Sequence, residues 1–95
     1  MPLVELAPRP PKALSALSDV LMSRRAYAEA APLLRRLVDV TPDDETARKR
    51  LYNALYGQSD FAGAEAVCRD WTKASRDSAE AWYSLGTSLY ALGKL

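Results

Sequence analysis

The chain has 95 residues, of which 48% are hydrophobic and 26% are charged, a balance typical of one small globular domain. Thirteen Lys and Arg against 12 Asp and Glu leave a net charge of +1, so no general attraction to nucleic acid is predicted. The absence of histidine removes the commonest acid/base group and metal ligand. We therefore expect no catalysis, and no cofactor or metal.

No apolar run approaches the ~18 residues that a membrane span needs. The N-terminus carries an acid and three prolines where a signal peptide would carry basic and then apolar residues. The single cysteine fits a reducing compartment, so a cytoplasmic location is predicted. Residues 1–10 are interpreted as a Pro-rich extended lead-in.

A sequence repeat with a period of about 34 residues follows the lead-in. It divides the chain into units 11–44 and 45–78 and a partial unit 79–95, which holds only a first helix. The matches across all three copies are Ala13, Ala47 and Ala81; Leu17, Leu51 and Leu85; and Leu21, Leu55 and Leu89.

Within each unit the apolar residues recur at helical spacing, as in Leu14, Leu17 and Leu21. No segment shows strand alternation, so the fold class is all-α. The predicted helices are 12–24, 28–41, 45–57, 61–74 and 79–92. Pro32 predicts either a late start of the second helix or a bend there.

Glycines and acidic residues mark the predicted helix ends. Gly57 and Gly93 are expected to close the first helix of their units. Asp77 and Glu80 have capping-box spacing. The adjacent acids of residues 43–45 could attract a divalent cation, but helix initiation explains them better.

The residues Trp82 to Gly86 (WYSLG), then Leu89-Tyr90 and Gly93-Lys94, resemble a tetratricopeptide repeat. Ala30, Ala64 and Pro42 match other positions of that family, whereas Arg48 replaces the large apolar residue that Trp82 provides. The resemblance implies αα-hairpins stacked as a right-handed superhelical solenoid of about two and a half repeats. A generic αα-solenoid of different curvature is the structural alternative.

In this family, the first helices of successive repeats line a concave groove that binds a peptide. The resemblance thus predicts a partner-binding groove whose main residues are Lys12, Lys49, Asn53, Tyr56, Tyr83, Thr87 and Tyr90, with Ser15, Asp19 and Met22 beside them. Tyr56 and Tyr90 could instead pack between neighbouring first helices. Some family members hold a partner's C-terminal carboxylate with a Lys and an Asn placed like Lys49 and Asn53, although a solvated pair is the simpler interpretation.

Two other groups of residues have simple structural explanations. The basic clusters at 24–25, 35–36 and 48–50 are interleaved with acids, which argues against a nucleic-acid surface. Cys68 lies on a predicted buried stripe without an activating histidine, so it is interpreted as a core residue.

The third unit stops where its second helix should begin, which leaves the apolar face of the last helix without a predicted cover. Either the chain is a fragment of a longer array, or it self-associates through Trp82, Leu85, Leu89 and Leu92. The predicted function is a non-catalytic scaffold that binds a protein or peptide. The alternative is an N-terminal helper segment of a larger enzyme, of transferase or hydroxylase type, that aids substrate binding or oligomerisation.

Overall fold

The computed structural model describes residues 11–94, so the predicted lead-in and Leu95 lie outside the described residues. The described chain is all-α, and it contains five helices joined by short turns. These helices are α1 (Pro11–Ser23), α2 (Tyr27–Val40), α3 (Glu45–Gly57), α4 (Phe61–Ala74) and α5 (Ala79–Ala91). The prediction of five helices is confirmed.

Each helix packs against the next along the chain, and α3 also touches α5. The result is an elongated body of 50 × 26 × 19 Å. Its core is one continuous apolar cluster that runs from Leu14 in α1 to Leu85 in α5. Ala30 and Ala64 are fully buried in it, and such small side chains let the helices that carry them approach their neighbours closely.

The turns inside the hairpins repeat with the same period as the sequence. Arg25, Ser59 and Gly93 occupy equivalent positions and have positive φ values of 59°, 63° and 73°. In each turn the next residue donates its N–H to the carbonyl five residues earlier, as Asp60 does to Leu55 at 2.9 Å. This bond and the left-handed residue before it define a Schellman ending, so the same turn is built three times, twice without glycine.

Gly57 ends its helix as predicted, but it does not adopt the left-handed conformation that favours glycine at a helix C-terminus, whereas Gly93 does. Gly57 is the last residue of α3, and the left-handed residue is Ser59, two positions later. A Cβ at residue 57 would lie 2.7 Å from Cε2 of Tyr27. Gly57 therefore provides room for the Tyr27 ring, which packs against the core from the start of α2.

The helix starts differ from the predictions at two places. Ser78, not Asp77, is the N-cap of α5, and its Oγ accepts the N–H of Ala81 at 3.2 Å. The helix α2 begins at Tyr27 and continues through Pro32 to Val40, so of the two alternatives for Pro32 the late start is wrong, and the bend stays a prediction. The predicted helix start at residues 43–45 is found, since Asp44 caps α3 by accepting the N–H of Thr46 at 2.9 Å.

Candidate functional site

A buried tryptophan, Trp71, links α4 to the start of α3. Trp71 in α4 is fully buried, and its indole N–H donates to Oε1 of Glu45 in α3 at 3.0 Å. Hydrogen bonds from Ser78 and then Trp71 lower the pKa of Glu45. The carboxylate of Glu45 therefore joins the start of α3 to the middle of α4.

The junction before α3 and the junction before α5 contain the same kind of hydrogen bond, from a side-chain N–H to a backbone carbonyl. In the first, an Nη of Arg48 donates to the carbonyl of Pro42. In the second, one repeat later, Nε1 of Trp82 donates to the carbonyl of Arg76 at 2.8 Å. Arg48 was expected to be a departure from the repeat, yet its side-chain N–H makes the bond that the Trp82 indole makes.

The predicted groove residues lie on α1, α3 and α5, and they differ in exposure. Tyr56 and Thr87 are half-buried, whereas the others are exposed, namely Lys12, Lys49, Asn53, Tyr83 and Tyr90. The Tyr56 ring centroid lies 5.6 Å from that of Tyr52 and 4.9 Å from that of Phe61. Tyr56 is thus part of an aromatic cluster, whereas Tyr83 and Tyr90 are each 76% exposed.

The predicted pair Lys49 and Asn53 is not a free cation beside an amide. Nζ of Lys49 lies 2.5 Å from Oε2 of Glu80, so it forms an ion pair between α3 and α5. A partner's carboxylate would have to compete with Glu80 for this lysine. The arrangement favours the interpretation of Lys49 as a link between helices over its role in a carboxylate clamp.

A second ion pair joins α1 to α3 on the same set of helices. Nη1 of Arg50 lies 2.7 Å from Oδ1 of Asp19 and donates to Oγ of Ser15 at 3.1 Å. Sequence reasoning missed both this pair and the Lys49–Glu80 pair because their members lie on different helices, far beyond the local spacings that predict helix-surface pairs. Together the pairs balance the charges between the first helices.

The tyrosine surface is the set Tyr83, Gly86, Thr87 and Tyr90 on α5, which lines a shallow pocket of about 420 Å³. A Cβ at Gly86 would meet nothing within 4 Å, so the floor of the pocket is bare helix. The hydroxyl of Thr87 donates to the carbonyl of Tyr83 at 2.9 Å. The surface therefore offers two aromatic rings on either side of a small gap, with one fixed hydroxyl between them.

The residues predicted for self-association do not form one exposed patch. Leu85 is 7% exposed and belongs to the core cluster, so it is not available to a second chain. Leu89 and Leu92 are half-buried, and Leu89 packs against the core. Trp82 is 52% exposed, and it is the member of this set that presents the largest accessible surface.

Beyond α5, Lys94 is tied back to the preceding helix. Its Nζ donates to Oε1 of Glu65 at 3.2 Å, and Nε of Arg69 donates to Oε2 of the same carboxylate at 2.8 Å. The hydrogen bonds from Arg69 and Lys94 lower the pKa of Glu65. The end of the described chain is therefore held against α4.

Cys68 lies fully buried in α4. Burial raises the pKa of its thiol to about 11, an effect that a hydrogen bond with Ser88 only partly offsets. A thiol with a raised pKa is a weak nucleophile, so its role as a core residue is supported. Within residues 11–94, no three His, Cys, Asp or Glu side chains come together as metal ligands.

A family model described as a tetratricopeptide repeat matches residues 21–91, which include the whole of α2 to α5. No curated protein matches the chain in a sequence search. In the described part of the chain, no helix has the length and apolar character required to cross a bilayer.

Proposed function

Because the chain belongs to the tetratricopeptide repeat family, we propose that it is a non-catalytic scaffold that binds a peptide or partner protein along α1, α3 and α5. Repeats of this family are protein-interaction modules. The finer proposal concerns which face is used. The observation that carries it is the exposure of Tyr83 and Tyr90, which are two large aromatic side chains without a covering helix in the described chain.

Tyr83 and Tyr90 are seven residues apart, so they lie on one side of α5, two turns from each other. Tyrosines are enriched at interfaces because they contribute a large contact area and a polar tip. Gly86 and Thr87 leave a shallow pocket between the two rings. The surface therefore suits a partner side chain that inserts between the rings while its backbone contacts the hydroxyls.

Two cations of α3 already have acidic partners on the neighbouring helices α1 and α5. Lys49 pairs with Glu80, and Arg50 pairs with Asp19. Exposed pairs of this kind contribute little binding energy and are screened by salt. We therefore expect binding at the tyrosine surface to depend on aromatic contact, and to change little between low and physiological salt.

The double variant Tyr83→Ala/Tyr90→Ala tests this proposal in a comparative affinity capture with quantitative mass spectrometry. Both side chains are largely exposed, so the fold is expected to persist, which far-UV circular dichroism checks. The matched control is Val20→Ala/Val40→Ala, which removes two exposed apolar side chains from α1 and α2. Partners lost with the tyrosine variant and kept with the control support the groove, while an identical partner set for both variants rejects it.

A further inference from the structure

Two clefts in the molecule are built from equivalent residues. The first contains Val38, Asp39, Pro42 and Arg48. The second, which we call the Trp82 cleft, is lined by Thr72, Lys73, Arg76 and Trp82. Each of its members is the counterpart of a member of the first, one repeat later in the sequence, so the two clefts are the same structural position in successive repeats.

The first cleft is closed on one side by the following helix. Val67 and Asp70 of α4 line it, opposite α2 and α3. In the Trp82 cleft no described residue stands in the place that α4 fills at the first cleft, and the cavity of about 340 Å³ is lined by four residues alone. Among residues 11–94, the position that α4 fills at the first cleft is therefore open at the Trp82 cleft.

Trp82 forms one wall of the Trp82 cleft, and a hydrogen bond holds its ring in place. The Trp82 indole N–H donates to the Arg76 carbonyl, while 52% of the tryptophan remains exposed. In the first cleft the corresponding Arg48 carries a charge and has a buried Nε without a hydrogen-bond partner. The exchange of arginine for tryptophan gives the second cleft an apolar wall that suits an apolar side chain.

The charges of the two clefts also differ. The first contains Asp39 and Pro42 where the second contains Lys73 and Arg76. No acidic side chain of the described chain lines the Trp82 cleft. In the first cleft the closing helix contributes an apolar residue, Val67, and a carboxylate three positions later, which places both on one helix face.

We propose that the Trp82 cleft binds an acidic amphipathic helix of another protein, with an apolar side chain against Trp82 and carboxylates against Lys73 and Arg76. This site is separate from the tyrosine surface. Trp82 and Tyr83 are successive residues, so their side chains point about 100° apart around α5. Either site can therefore fail its test without affecting the other.

A second copy of this chain fits the cleft less well. Its α4 already lies between α3 and α5, with Val67 buried. The corresponding residues of α2 are Leu33, which packs against the core, and the exposed cation Arg36. That cation would face Lys73 and Arg76, and like charges oppose association.

The test uses two fluorescein-labelled, alanine-based helical peptides of equal length. The acidic peptide carries the Val-x-x-Asp pair of α4 and two further glutamates on the same face. In the basic peptide, lysines replace those three acids. Fluorescence anisotropy measures the binding of each peptide to the full chain at several salt concentrations.

The wild-type chain should bind the acidic peptide, and Lys73→Glu/Arg76→Glu should weaken that binding about tenfold, the effect of two surface ion pairs. The same variant should bind the basic peptide, which the wild type does not. The control Arg24→Glu/Arg36→Glu makes the same change in net charge on exposed residues of the first hairpin, and it should bind the acidic peptide within about twofold of wild type at physiological salt.

Trp82→Ala provides a second measurement, and it should weaken binding of the acidic peptide without affecting the tyrosine surface. The proposal is overturned if the wild type does not bind the acidic peptide. It is also overturned if the control variant weakens binding as much as Lys73→Glu/Arg76→Glu does, or if Lys73→Glu/Arg76→Glu does not bind the basic peptide. Sedimentation that shows a dimer from which the acidic peptide is excluded would assign the cleft to a second copy instead.

Discussion

The junction between α2 and α3 and the junction between α4 and α5 are built to the same plan but have different surroundings. In both, a side-chain N–H near the start of the later helix bonds to a carbonyl in the turn. The first junction is covered by α4, whereas the second is open among the described residues. Repetition thus fixes the local geometry of a junction, and neighbouring helices decide which of its side chains remain available to a partner.

The difference between the covered and the open junction is largest for the two tryptophans. Trp71 is fully buried and Trp82 is half-exposed, so the same truncation should have unequal effects. Trp71→Ala should lower the free energy of unfolding by about 3–5 kcal/mol, because it leaves a large cavity. Trp82→Ala should lower it by about 1 kcal/mol, since a smaller apolar area is lost. Urea denaturation followed by circular dichroism measures both, and equal losses would contradict the contrast between a closed and an open junction.

The hairpin turns offer the next largest effect. Arg25 and Ser59 adopt the left-handed conformation that glycine occupies at residue 93, and this conformation costs a non-glycine residue about 1–2 kcal/mol. Arg25→Gly and Ser59→Gly should each stabilise the chain by about 0.5–1 kcal/mol after the greater flexibility of unfolded glycine is counted.

Gly93→Ala is the reciprocal variant, and it should destabilise the chain by about 1 kcal/mol. Urea midpoints of the three variants check the equivalence of the turns. If either glycine variant were less stable than wild type, the three turns would not be energetically equivalent.

The smallest predicted effect is a pH dependence at the Glu45 link between α3 and α4. The pKa of Glu45 is lowered in the folded chain, chiefly by hydrogen bonds from Ser78 and Trp71. Its stabilising contribution is therefore fully present above the ordinary pKa of a glutamate and is lost as pH falls through the lowered folded value.

Glu45→Gln removes this contribution, so the variant should be less stable than wild type at pH 7, with a gap that narrows toward pH 3. Urea denaturation at the two pH values measures the gap. Glu65→Gln is the matched control, because the pKa of Glu65 is also lowered but its partners Arg69 and Lys94 lie away from Trp71. If the stability difference between wild type and Glu45→Gln did not change with pH, the charge of the Glu45 carboxylate would not contribute to the link.

The helices could be predicted from the sequence because apolar spacing and the repeat period both depend on local residue order. Tyr83 and Tyr90 were predicted to line the groove from the resemblance to the repeat family. The ion pair of Lys49 with Glu80 could not be predicted, since it depends on how one helix is placed beside another. The burial of Leu85 in the core was missed for the same reason, because it depends on how the helices pack together.

The turns show a different limit of sequence reasoning. Gly57 was assigned to a helix end from residue type alone, yet its role is to leave space for Tyr27. The left-handed position belongs to Ser59, and serine carries no signal for that conformation. Only the register with Gly93, its counterpart in the next repeat, points to it. The period was therefore a better guide to turn geometry than the identity of any single residue.

The unequal burial of the two tryptophans has a practical consequence. Trp71 is sealed in the core beside a carboxylate, while Trp82 is in contact with solvent. The intrinsic emission of the chain therefore contains a component that soluble quenchers should reach and one that they should reach only on unfolding. A Trp71→Phe chain would leave Trp82 as the sole indole, so that a spectral shift on addition of an unlabelled molecule reports occupancy of its cleft, without any attached dye.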